Sequence, residues 1–309
     1  MGIYLIQENE IWVNLFLGSN VLVLIYHLYD LVQFLPVYKW FKKSNYPKGV
    51  LTRKISIISS NVYQFNESKN KLVDLIQKRK PDIFITYESD QKWQNAMDTL
   101  ESDYPHHVKI PLDNTYGMHL YSKIPFAYEK VHHFVSDDIP SIEIEIKVDN
   151  EKLRIFAVHP PVPSPTEETT SRERDGELMA IAKYIKINSF DNIIVVGDFN
   201  NVAWAKSSKR FRRLTGLNDP RVGRGLIPTF HAKYFFLRIP IDLLFHSTHV
   251  IIDDIETAER IDSDHFPMYF TLQISTREEE DSQEQEEQGD EEEMEQDIQE
   301  GIEEEGDRD

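Results

Sequence analysis

Residues 192–200 read Asn192-Ile193-Ile194-Val195-Val196-Gly197-Asp198-Phe199-Asn200. A run of four β-branched residues is too short for a helix. Closed by glycine and polar residues, it describes a strand covered on both faces. Its carboxyl end carries an acid and an amide, at the sheet edge where α/β proteins present groups to ligands. Upstream, Ile55 to Val62 reads as a strand containing Asn61. Ser68 is placed to cap a helix through Lys80, with Leu72, Val73, Leu75 and Ile76 on its buried side and Pro81 ending it. Asp82 to Glu88 is a further apolar strand. Ser141 to Val148 alternates strictly, with Ile142, Ile144, Ile146 and Val148 on one face and Glu143, Glu145 and Lys147 on the other. That pattern predicts a half-buried strand. Leu153 to His159 is its hairpin partner, through a turn at Asp149-Asn150. A helix is expected over Glu167 to Ile187, and the last strands over Ile239 to Phe245 and Pro267 to Ile274. Strands outnumber helices and some form hairpins, so the sheet is expected to be mixed rather than purely parallel.

Polar residues recur at the ends of these strands: Asn61, Glu88, His159, Asp198 with Asn200, Asp242, and Asp264-His265. Taken singly, each is an ordinary turn or surface residue. Their joint order says more. The stretches Ser60-Asn61-Val62, Tyr87-Glu88-Ser89, Val158-His159-Pro160, Gly197-Asp198-Phe199-Asn200, Ile241-Asp242-Leu243 and Ser263-Asp264-His265-Phe266-Pro267 resemble the endonuclease/exonuclease/phosphatase superfamily. Leu120-Tyr121-Ser122-Lys123-Ile124-Pro125 is similar to a strand end of the same group. Tyr87 stands where the family usually has Gln, and Pro160-Pro161 follows His159 in place of the commoner context. Gly216 to Phe230 resembles bacterial members that carry transmembrane helices ahead of the domain. The resemblance implies a four-layered α/β sandwich of two mixed, mostly antiparallel sheets with outer helices. It covers about residues 54 to 275.

Hydrolysis of a phosphoester requires charge neutralisation, a positioned water and a stabilised leaving oxygen. A hard cation such as Mg2+ or Mn2+ takes oxygen ligands. Glu88 and the Asn61 amide oxygen are of that kind, and the resemblance adds Asp264 as a third ligand. Asp198 is expected to orient or deprotonate the attacking water, and Asn200 to donate to phosphoryl oxygens. Asp242 holds the imidazole of His265, which is then general base or phosphate ligand. His159 is a candidate general acid or phosphate-binding group. Arg172 and Arg174 read as solvated helix residues, and Trp204, Phe230, Phe235 and Phe236 mostly as core. The substrate classes open to this set are nucleic acid, phospholipid and small phosphate ester, with no obligate protein partner inferred. A non-catalytic, membrane-anchored binding protein on the same scaffold is the alternative. A third reading makes the acidic tail a binder of cations or basic proteins.

The chain has no cysteine, which excludes disulfides and thiolate chemistry among its residues. Its net charge is −19, but 19 acidic and only 2 basic residues lie in 276–309, so the remainder carries about −2. A strongly basic nucleic-acid footprint is therefore missing. Residues 276–309, nearly devoid of apolar side chains, are expected to form a disordered acidic tail. Residues 1–53 form the other flank. Ile11 to Tyr29 carries no charge and is barely long enough to span a membrane, the other reading being an interfacial or core helix. Neither a signal peptide nor a myristoylation site is recognisable. Glu8 and Glu10 precede this segment, and Lys39, Lys42, Lys43, Lys48, Arg53 and Lys54 follow it. That asymmetry favours a cytoplasmic catalytic domain, although the side of the membrane stays open.

Overall fold

The structure is a computed structural model and describes residues 2–40, 49–163, 170–276 and 289–306. In chain order its elements are α1 (Gly2–Val32), β1 (Ile55–Asn61), α2 (Lys69–Arg79), β2 (Ile83–Tyr87), α3 (Gln91–Met97), β3 (His106–Ile110), β4 (Met118–Ser122) and β5 (Phe126–His132). There follow β6 (Ser141–Val148), β7 (Glu151–Val158), α4 (Arg172–Asn188), β8 (Ile193–Asp198), α5 (Lys206–Thr215), β9 (Asp242–His246), β10 (Val250–Thr257), β11 (Met268–Ile274) and α6 (Asp290–Gly306). Residues 167–169 of the helix expected over Glu167 to Ile187 lie outside the described residues.

The chain divides into two compact units. One holds α1 and the segment 221–226. There the Gly223 and Gly225 amides donate to the carbonyls of Gln33 and Phe34, and the Arg221 guanidinium lies over the buried Phe34 ring. Residues 10–32 of α1, none of them buried, form a helix long and apolar enough to cross a membrane. The basic residues Lys42, Lys43 and Lys48 lie outside the described residues.

The second unit contains both sheets, ordered β10-β11-β1-β2-β4-β3 and β5-β6-β7-β8-β9. Only β1 with β2 and β7 with β8 pair in parallel; every other pairing between these strands is antiparallel. Ile57, Ile85, Leu120 and Phe270 from the first sheet share one buried core with Ile144, Ile155, Val196 and Leu244 from the second. Leu72, Leu75 and Ile76 of α2 and Trp93 of α3 cover the outer face of the first sheet around Ile58, Phe84 and Tyr121. Helices α4 and α5 lie beyond the second sheet, completing four layers. Asp90 caps α3 by accepting from the Trp93 amide at 2.9 Å. Ser68 precedes α2 as expected but makes no capping bond, donating instead to Asp262.

Two expectations differ from what is found. The Glu face of β6 is covered, not solvated: Glu143 and Glu145 are buried. Arg154 pairs with Glu143 at 2.8 Å and with Glu145 at 2.6 Å, and the Tyr184 hydroxyl donates to Glu143. Cross-strand pairing with Arg154 provides the charge that a pattern of alternation does not register. The expected disordered tail is likewise corrected over its described part, where residues 290–306 form α6 packed along α4. Its acids meet bases from earlier in the chain. Arg213 binds Asp290, Lys183 binds Glu295, Lys186 binds Glu291, and the buried Arg210 engages Asp290, Glu293 and Asp297. Gly176 and Gly301 allow the close approach; a Cβ built on Gly301 would lie 3.1 Å from the Gly176 Cα. Net charge counted within the tail alone misses partners some 80–110 residues away in sequence.

Candidate metal-dependent hydrolytic site

Strand direction gathers the polar residues. β1 and β2 run parallel, so Asn61 and the residue after Tyr87, Glu88, leave the first sheet at one edge. β11 runs against β1, which brings its preceding Asp264-His265 to the same edge. In the second sheet β7 and β8 deliver His159 and Asp198, and antiparallel β9 places Asp242 directly opposite Asp198. Gly197 is needed at the end of β8, since a Cβ there would collide with the Val158 carbonyl. Glu88 and Asn200 both adopt left-handed backbone angles, with φ of 56° and 48°. Such conformations in non-glycine residues concentrate at functional sites.

All eight residues meet. Asn61 bridges the two sheets, its Nδ2 donating to Glu88 Oε1 at 2.8 Å and to Asp198 Oδ2 at 2.9 Å. Its amide oxygen accepts from the Tyr63 backbone at 3.0 Å. The oxygen expected to face a cation is thus turned to the backbone, because two carboxylates attract the donor end of the amide. Asp198 also accepts from the Asn200 amide at 2.9 Å, and the Asn200 side chain donates to Pro160 O. His265 Nδ1 donates to Asp242 Oδ2 at 2.8 Å, and its Nε2 lies 3.6 Å from Asp198 Oδ2. Asp264 is fixed at its backbone, where its carbonyl accepts from the Ala232 amide.

Burial and mutual charge set the protonation states. His265 resists burial because Asp242 and Asp198 face it, and its pKa is pushed up to about 10. It is a cation at neutral pH. Burial, with the charge of His265 beside it and against the pull of Asp198, drives His159 down to about 4, so it is neutral and a poor general acid there. Its Nδ1 is buried without a hydrogen-bond partner among the described residues, while its ring lies beside those of Tyr87 and Tyr116. Burial raises the Asp198 carboxyl, a rise opposed chiefly by His265. Glu88 is raised to about 7, first by burial and then by the nearby charges of Asp198 and Asp264.

The donor set fits a hard divalent cation. Glu88 and Asp264 carry carboxylate oxygens of the kind such an ion takes, and the ionisation of Glu88 is opposed by burial and by the charges of Asp198 and Asp264. Asp198, Asp242 and His265 also approach one another within 4.8 Å. That second cluster is held together by the imidazolium between two carboxylates, so its compactness is explained without an ion.

Several supporting residues went unnoticed in the sequence. Ser263 Oγ donates to Asn61 O and accepts from the His265 amide, joining two loops of the site. Its place beside Asp264-His265 was the available signal. Thr229 accepts from the Asp242 amide, and the Phe230 ring lies 4.9 Å from His265. Arg174 is largely buried and donates to Asn200 O at 3.1 Å, while Arg172 is exposed and pairs with Glu300. Trp204 and Phe230 are half-buried, whereas Phe235 and Phe236 are exposed, against the expectation of core.

Comparison with known proteins agrees with this geometry. Residues 58–265 match the model of the Endonuclease/Exonuclease/phosphatase family. No curated protein matches significantly in sequence. Among solved structures, humanized TDP2 from D. rerio is 18% identical, with a TM-score of 0.61 over 71% of this chain and 98% of that one. Sphingomyelinase C from Streptomyces griseocarneus is 11% identical, with a TM-score of 0.53 over 71% and 99%. An endonuclease/exonuclease/phosphatase family protein from Leptotrichia buccalis is 16% identical, with a TM-score of 0.56 over 71% and 99%. At these identities the likenesses establish the fold, and the family match adds the chemistry. The chain belongs to the endonuclease/exonuclease/phosphatase family, whose members are metal-dependent enzymes that hydrolyse phosphoester bonds.

Proposed function

We propose that this chain is a phosphodiesterase that uses Mg2+ or Mn2+ held by Glu88 and Asp264. The observation that carries the reading is the chain of contacts from Asp242 through His265 to Asp198, with Asn61 closing it onto Glu88. When bound, the ion supplies positive charge that offsets the phosphate oxygens and the charge developing in the transition state. Asp198, held by Asn61 and the Asn200 amide, is the group that orients the attacking water and accepts its proton. His265, charged and steadied by Asp242, faces the phosphoryl oxygens as a cation. Neutral His159 and the second amide proton of Asn200 serve as hydrogen-bond donors to them. The Asn61 amide nitrogen positions the two carboxylates Glu88 and Asp198.

Both nucleic-acid and phospholipid diesters suit this site. A D. rerio TDP2 structure contains a single-strand DNA product, and another neighbour is a sphingomyelinase. The exposed apolar α1 supports membrane association of the full chain. The decisive experiment is a substrate panel with purified full-length protein and Mg2+ or Mn2+. It includes single- and double-stranded DNA, sphingomyelin and other phospholipids in vesicles, inositol phosphates and a soluble generic diester. Ion-dependent cleavage that Asp198→Asn abolishes is the expected result. No cleavage of any member would return the chain to the non-catalytic binding alternative.

A further inference from the structure

The loop that leads into β9 carries a run of exposed apolar side chains. Around a single 3-10 turn (Phe235–Leu237), the side chains of Tyr234, Phe235, Phe236, Leu237 and Ile239 all face solvent. Phe235 is 78% exposed and Phe236 is 70% exposed. A contiguous patch of this kind marks a surface that another phase or partner covers.

This loop is built onto the hydrolytic site. Its base is the bridge of Phe230 to Ile239, and Phe230 also bridges to His265. The Ala232 amide donates to Asp264 O. On its other side the Lys233 ammonium lies 5.9 Å from the centre of the Tyr63 ring, which in turn contacts Phe65, 65% exposed. The Tyr63 and Gln64 amides donate to Asn61 and Glu88. Two loops bearing exposed rings therefore flank one site, with Lys233 between them and Arg238 at the far end of the turn.

We propose that the 233–239 loop, with Phe65 beside it, enters the headgroup–acyl boundary of a lipid bilayer and presents phospholipid diesters to the adjoining site. Aromatic rings with aliphatic Leu237 and Ile239 match that boundary, and Lys233 and Arg238 can stay at headgroup level. Single-stranded nucleic acid is the competing occupant, since bases stack on exposed rings. It would also require a basic track along the phosphates, whereas the chain outside residues 276–309 is close to neutral. The exposed apolar α1 is an independent feature of the same chain that favours a membrane. The inference rests on the phosphodiesterase reading for its substrate, but not for insertion itself.

The chain has no cysteine, so a single label can be placed in the full-length protein. Phe236→Cys carrying an environment-sensitive fluorophore is mixed with vesicles of phosphatidylcholine and phosphatidylglycerol. Expected are a blue shift and quenching by acyl-chain nitroxides, with no change for a label at the exposed Ile187→Cys on α4. A label that stays water-like, or that responds to a thymidine oligonucleotide and not to vesicles, would overturn the proposal. In parallel, Phe235→Ser with Phe236→Ser should lower cleavage of vesicle phospholipid about tenfold or more, given the apolar area removed. Cleavage of a soluble diester should be unchanged. Equal losses on both substrates would make the loop merely structural and sink the presentation role. If the wild type cleaves no diester at all, the hydrolase reading fails while the label still decides insertion.

Discussion

His265 donates through Nδ1 to Asp242 Oδ2 at 2.8 Å, and the other oxygen of Asp242 has no hydrogen-bond partner among the described residues. The Asp242 side chain is therefore devoted to His265. Without Asp242 the imidazole keeps its place but loses the group that fixes its tautomer and charge.

The two should act as a unit. His265→Ala is expected to cost about 10²–10⁴-fold in kcat, as for other groups acting on the reacting centre. Asp242→Asn should cost a similar factor, and the double variant should be little worse than His265→Ala. Rates and melting temperatures of all three variants test this. Losses that multiply, with a destabilised fold, would make Asp242 an ordinary buried carboxylate.

Ion binding should be coupled to proton release at Glu88. Its carboxyl is held at about 7, so below that pH a proton competes with the cation. Calorimetric Mg2+ affinity should fall about tenfold per pH unit below pH 7, the slope for one exchanged proton. Glu88→Gln should bind the ion weakly and show no such slope, with the fold intact. A wild-type affinity independent of pH from 5 to 8 would remove Glu88 from the ion site.

Stability of the ion-free protein should decline in alkali. The folded pKa of His265, about 10, lies above its ordinary 6.5. The stabilisation is then fully present below about pH 6.5 and is lost as pH rises through 10. Glu88, raised to about 7, has the same sign but its contribution is already spent above about pH 7.5. Melting temperature should thus drop between pH 7.5 and 10 in the wild type and drop less in His265→Ala. His159 has the opposite sense, because its pKa is lowered to about 4. Its contribution is present above about pH 6.5 and lost as pH falls through 4.

The acidic helix should be removable by steric means. Gly301→Val places side-chain atoms against the backbone of Gly176 and should detach α6 from α4. Limited proteolysis should then cut within 289–306 while the sheets remain folded. Resistance equal to wild type would mean that the crossing is looser than the Gly176–Gly301 contact implies. Arg210→Ala should weaken the same contact and lower stability by about 3 kcal/mol, as when one partner of a buried ion pair is lost.

Local sequence determined the strands, because Ile193 to Val196 and Ile55 to Ile58 are runs that only a buried strand accommodates. The order of Asn61, Glu88, His159, Asp198, Asn200, Asp242, Asp264 and His265 announced the family. Strand-end position named the residues because the ends of the parallel strands β1, β2 and β7, β8 and the starts of their antiparallel neighbours β11 and β9 fall at one edge. Their protonation states and hydrogen-bond orientations were not legible there. The Asn61 amide points its nitrogen inward only because Glu88 and Asp198, 27 and 137 residues away, converge on it. The charge on His265 and the neutrality of His159 depend on which carboxylates face each ring in the folded chain. Composition made residues 276–309 look unable to fold, yet α6 is held by bases on α4 and α5 that no local window contains. Propensity and periodicity act within a few residues. Electrostatic pairing acts across space, so tertiary structure alone decided those outcomes.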